Sequence, residues 1–219
     1  MSAFYPRTHV GIAALAALAA VACASTPQAP PAAGEARGAL PDLEGRKVMV
    51  FPVQRLRGLD RDLDPAAEVA YAFETRGGAE WILPADLRRA VERTPGLELS
   101  ADALPVDVFL RAEVDRIGDP LFGLLRRMAA VTGADLALVP VEARPGVGPG
   151  DAADAGAAST LRRVEIAATL INARTGRVFW FGVVDAESAG GDAGALAGAA
   201  EALARAVTPR LDRPLREAL

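Results

Sequence analysis

Leu161-Arg-Arg-Val-Glu-Ile-Ala-Ala-Thr-Leu-Ile171, then Asn172-Ala-Arg-Thr-Gly176 and Arg177-Val-Phe-Trp-Phe-Gly-Val-Val-Asp185, is the stretch that decides the fold. Val164, Ile166, Ala168 and Leu170 alternate with Arg163, Glu165 and Thr169, the period of two that a β-strand imposes on its faces. Ala173-Arg-Thr-Gly176 turns the chain, and residues 177–185 return as the antiparallel partner. Asp192 to Leu211 then reads as an Ala-rich helix with Leu196, Ala200, Leu203 and Val207 inward.

Upstream, Asp135 to Glu142 reads as a buried strand. Pro140 has no N–H to donate to a ladder, so it belongs at an edge or a bulge. Arg144 to Ser159 is rich in Gly, Ala and Asp without a period and reads as a loop. Asp119-Pro120 opens a helix with Leu121, Leu124, Leu125, Met128 and Val131 on one face and Gly133 at its end. Asp64-Pro65 opens another, carrying Ala66, Val69, Ala70 and Phe73 up to Gly77-Gly78. Glu80 to Leu83 is a short strand, and Pro84 begins a helix that Thr94-Pro95-Gly96 breaks. Phe109, Leu110, Val114 and Ile117 suggest one more helix within Leu97 to Gly118. Lys47-Val-Met-Val-Phe-Pro-Val53 is apolar on both faces, as a central strand covered on two sides should be, and is expected in the same sheet as the hairpin. Alternating helices and strands of this kind predict an α/β class: one domain, a mixed sheet with flanking helices.

The amino end carries a different signal. Arg7 and His9 form a short basic start, Val10 to Ala22 are apolar, and the run closes Ala20-Val21-Ala22-Cys23. Thirteen apolar residues at ~1.5 Å each rise about 20 Å, short of a ~30 Å hydrocarbon layer, so the run does not span a membrane. Ala20-Val21-Ala22 also satisfies the rule for ordinary secretion, but that leaves Cys23, the only cysteine in 219 residues, without a role. The order is similar to the bacterial lipobox, which implies cleavage before Cys23 and acylation of it; Ala24 in place of Asp favours the outer membrane. The expected organisation is a signal peptide over 1–22, a lipidated Cys23 with a Pro/Ala-rich tether to 46, and a periplasm-facing domain over 47–219. An extended tether of this length reaches roughly 70 Å at ~3.1 Å per residue.

Four pieces then stand in a familiar order: Val48-Met-Val-Phe-Pro52, a helix leading into Thr132-Gly-Ala-Asp135, the strand ending Leu170-Ile-Asn-Ala-Arg-Thr-Gly176, and Arg177-Val-Phe-Trp180. Over roughly Lys47 to Leu211 they resemble the α/β domain shared by the amino-terminal part of TolB, the curli-secretion lipoprotein CsgG and the penicillin-binding-protein activator LpoB. Two features depart from that pattern: Pro140 stands where a glycine is usual, and 97–118 reads as an insertion. The resemblance implies an envelope adaptor that binds other proteins and has no active site.

Chemistry-bearing residues are few. His9 is the only histidine and is expected to leave with the signal, and Cys23, the only cysteine, is expected to carry lipid. Ser-His and Cys-His catalysis and the usual zinc sites therefore lack their residues, so no catalytic, cofactor or metal residue is expected. Asp60, Asp62 and Asp64 have calcium-loop spacing, but Pro65 and Tyr71 occupy the places of the obligatory Gly and Glu, so a capped helix start is the better reading. Gly146-Val-Gly148-Pro-Gly150 lacks the Lys-Ser/Thr of a phosphate loop. Arg88-Arg89, Arg126-Arg127 and Arg162-Arg163 read as solvated faces, with contact to an anionic partner as the alternative. Phe179, Trp180 and Phe181 read as core, or, if 179 and 181 were exposed together, as a partner site. The formal net charge is −4, and loss of Arg7 makes it more negative, which argues against nucleic acid. The expected function is thus a non-enzymatic adaptor with an envelope protein partner. A CsgG-like secretion-channel subunit is the first alternative, but it needs amphipathic membrane hairpins for which 144–159 is too short and polar. A carboxylate-dependent hydrolase is the second, and no matched acid pair is visible for it.

Overall fold

In the computed structural model, which describes residues 33–94, 100–146 and 161–209, the hairpin is the centre of a six-stranded mixed sheet. Its elements are β1 (Ala36–Gly38), β2 (Arg46–Val50), α1 (Pro65–Glu74), β3 (Ala79–Ile82), α2 (Pro84–Glu92), the single turn α3 (Val108–Arg111), α4 (Leu121–Thr132), β4 (Leu136–Pro145), β5 (Arg162–Asn172), β6 (Val178–Ser188) and α5 (Gly191–Val207). The strand order is β1-β6-β5-β4-β2-β3, with β2, β3 and β4 parallel and the remaining pairs antiparallel. The expected α/β class holds, including a carboxyl-terminal hairpin followed by a helix.

Two cores lie on the two faces. Val164, Ile166, Ala168 and Leu170 join Val48, Val50, Leu136, Leu138 and Trp180 under α1 and α5. The small residues of α5 let it lie close: a Cβ at Gly198 would come within 2.8 Å of the Ala186 Cβ. On the opposite face Met49, Phe51, Ala137, Val139, Ile171 and Phe181 pack with Leu87 of α2, Phe109 of α3 and Leu121, Leu125 and Met128 of α4. The local signals explain the ends. Asp64 caps α1 by accepting from the Ala67 amide at 3.0 Å, and Gly133 closes α4 in the left-handed region at φ 71°. Asn172 Oδ1 accepts from the Arg174 and Thr175 amides, both at 3.0 Å, which sets the hairpin turn.

Four expectations need correction. The sheet begins inside the stretch assigned to the tether, because Ala36–Gly38 pairs with Trp180–Gly182 as an edge strand. Three residues are too few for a period to register. The helix expected around Phe109 to Ile117 is one turn: Phe109 and Ile117 are both buried, but Arg116 bridges to Arg177 in extended form. Arg144 and Pro145, placed in the loop, continue β4; the rest of that loop from 147 to 159 lies outside the described residues, as do Pro95 to Leu99. Finally Thr169, expected on a polar face, is fully buried with its hydroxyl donating to the Trp180 carbonyl at 3.0 Å.

Candidate partner-binding surface

Pro140 does sit at a bulge, and the bulge builds the most polar part of the sheet. The register steps from Pro140 opposite Ala168 to Glu142 opposite Ala167, leaving Val141 over. One extra residue reverses the alternation that follows. Ala143 then faces the α1/α5 core, while Glu142 and Arg144 turn to the opposite face beside Arg163 and Glu165 of β5 and Asp185 and Glu187 of β6.

These side chains form one network. Arg144 Nε and Nη2 meet Glu165 Oε2 at 3.0 and 2.9 Å, and its Nη1 is 3.9 Å from Glu142. Arg55 reaches Glu142 at 4.0 Å and pairs with Asp107. Arg163 donates from Nε to Glu187 at 2.8 Å and lies 3.7 Å from Asp185. That hydrogen bond to Glu187 raises the Arg163 guanidinium pKa above its ordinary value, against the opposing effect of burial. The Glu142 and Glu165 side chains are only 4% and 10% exposed. Arg55, Arg144 and Arg163 thus face Asp107, Glu142, Glu165, Asp185 and Glu187, so the patch carries an acidic excess. A general acid or base must be free to meet a substrate proton. Glu142 and Glu165 instead face an arginine they share.

A second place where α/β proteins hold ligands is the crevice at the carboxyl ends of parallel strands, where the chain leaves to opposite sides. Here that point lies between β2 and β4, and the protein's own backbone fills it. Gln54 donates its amide N–H to the Pro140 carbonyl at 3.0 Å, and its side chain donates to Pro52 and Ala101 carbonyls at 2.8 and 3.0 Å. Its Oε1 accepts from the Leu104 amide at 2.7 Å. Leu56 then pairs alongside Ala143. Sequence reasoning passed over Gln54, since a glutamine after a strand-ending proline carries no mark of its contacts 50 residues away.

The residues singled out in the sequence scatter. Cys23 and His9 lie outside the described residues, as does Val147 to Gly150 of the glycine-rich stretch. Asp60 and Asp64 cap local turns, and among the described residues no group of three or more His, Cys, Asp or Glu is placed to hold a metal. Arg88 makes a bidentate pair with Asp102, which raises its pKa; Arg89 pairs with Asp86, Arg127 with the Gly123 carbonyl, and Arg162 lies 3.9 Å from Asp192. Phe179 and Phe181 do not form one exposed face. The register slips between Leu170 and Ile171, so Phe179 packs toward the same core as Trp180, while Phe181 stacks on Phe109 with centroids 6.1 Å apart. An apolar groove of about 400 Å³ runs between Leu40 to Glu44 and Val207 to Pro209.

No family model matches the sequence, and no curated protein matches it. Several solved structures are similar in chain trace. The LpoB carboxyl-terminal domain from Salmonella enterica is 18% identical, over 67% of this chain and 85% of that one, with a TM-score of 0.41. The PelC dodecamer from Paraburkholderia phytofirmans is 18% identical, over 82% and 98%, at 0.40. Lipoprotein GNA1162 from Neisseria meningitidis is 17% identical, over 77% and 98%, at 0.38.

Proposed function

We propose that this chain is a lipid-anchored, periplasm-facing lipoprotein of the outer membrane, and that its α/β domain is a non-enzymatic protein-binding adaptor in envelope assembly or maintenance. Cys23 carries the reading: the only cysteine stands at the one place where an apolar, spanless leader would need it for lipidation. Among the described residues no helix is long and apolar enough to cross a membrane. The adaptor half draws support from the four-piece likeness read in the sequence, from a ligand crevice closed by Gln54, and from buried carboxylates engaged with arginines.

Anchoring also sets geometry. With Gly34 and Glu35 already hydrogen-bonded to Val183, at most residues 24–33 separate lipid from fold, a reach of no more than roughly 31 Å at ~3.1 Å per residue rather than the longer span expected. Confinement to that layer raises the domain's effective concentration for envelope partners without a new contact. The test is intact mass of the membrane form. A chain beginning at Cys23 with three acyl chains, lost in Cys23→Ala, is the expected result; a free thiol or another mature start would overturn the reading. The same material should show no turnover on peptidoglycan, peptide or ester substrates.

A further inference from the structure

We propose that the outward edge of β6 is a strand-addition site for an extended basic peptide of a partner protein, with β1 as its short resident occupant. This deepens the adaptor reading and rests on it.

β6 runs from Val178 to Ser188, yet β1 pairs only with Trp180–Gly182, and Val183 bonds Glu35 and Gly34. Phe181 and Val183 turn their backbone groups toward that side, so strand alternation turns those of Asp185 and Glu187 the same way. Among the described residues no strand pairs with them there. An edge of this kind is a template for another extended chain.

β1 shows what the edge accepts. Arg37 lies opposite Phe181, with its guanidinium carbon 5.8 Å from the ring centroid and its Nη1 2.9 Å from Glu113. Gly38 follows at φ 81°, where a Cβ would meet the Phe179 carbonyl oxygen at 2.1 Å. The near end of the site therefore reads arginine followed by glycine. In the same antiparallel register, residues four and six places before that arginine fall opposite Asp185 and Glu187. These two carboxylates share the single guanidinium of Arg163, so a cation at either place is favoured. A second copy pairing edge to edge would bring its own Asp185 and Glu187 against them, and like charges opposite one another repel. A partner strand that is basic and longer than β1 gains ladder hydrogen bonds that three residues cannot supply, and so displaces it.

The probe is a labelled peptide, acetyl-Lys-Val-Lys-Val-Thr-Ala-Arg-Gly-amide, titrated against the full chain in detergent micelles and followed by fluorescence anisotropy. Saturable binding is expected, about tenfold weaker in the Asp185→Asn, Glu187→Gln double variant and tighter in Arg37→Ala, which frees Glu113. The same peptide N-methylated at alternate backbone nitrogens keeps its charge but cannot complete a ladder, and should not bind. Equal binding by the methylated peptide, or no binding to either the parent or Arg37→Ala, would overturn the proposal. So would dimerisation of Arg37→Ala that excludes the peptide. Envelope proteins retained equally by the parent and the double variant would leave the adaptor reading standing and remove this edge from it.

Discussion

The two faces of β5 are made by the same eleven residues and end differently. On one face Val164, Ile166, Ala168 and Leu170 are all essentially inaccessible beneath α1 and α5. On the other, Thr169 and Ile171 are buried, Ile171 in one cluster with Phe109 of α3 and Leu121, Leu125 and Met128 of α4, while Glu165 and Arg163 meet Arg144 and Glu187. The contrast separates what holds the fold from what is left to meet something else. A covered apolar face spends its residues on stability, whereas a charged half beside a strand edge that no described strand covers adds little stability and offers directional contacts.

Substitutions should sort along that division. Ile166→Asp places an unpaired carboxylate in the covered core and should destabilise by about 4 kcal/mol or more in a denaturant titration; an unchanged midpoint would remove β5 from the core. Phe109→Ala deletes the ring stacked on Phe181 and leaves a cavity, at about 3 kcal/mol, read in the same way. Gly38→Val collides with the Phe179 carbonyl and should release β1 alone, costing about 1 to 2 kcal/mol while the amides of β4 and β5 keep their exchange protection. Asp185→Asn and Glu187→Gln should each cost less than about 1 kcal/mol, because their ion pairs with Arg163 are solvent-facing. If either proved as costly as Phe109→Ala, the charged half would be structural and the division would fail.

Much of this is legible in the sequence. The period of two in 161–171, the proline-opened helices and the bulge at Pro140 follow from residue chemistry acting over a few neighbours. The hidden parts depend on distant segments. β1 is too short to show a period, and its glycine is explained only by the Phe179 carbonyl beside it. Thr169 looks polar in sequence, but its hydroxyl is satisfied by Trp180 across the hairpin. The charged patch follows from a one-residue slip at Val141 that the proline foretold without giving its consequence for Glu142 and Arg144. Gln54, which closes the crevice, has no local signature at all.

Hydrogen exchange on the lipidated chain, compared between intact envelope membranes and purified protein in detergent, tests the central claim most directly. The outward-facing amides of Asp185 and Glu187 should exchange rapidly in the purified protein and slow markedly in the envelope, while Val164 and Ile166 stay equally protected in both. Unchanged exchange at 185 and 187, with new protection elsewhere such as around exposed Tyr71 on α1, would contradict the account and move the partner surface to the opposite side of the sheet.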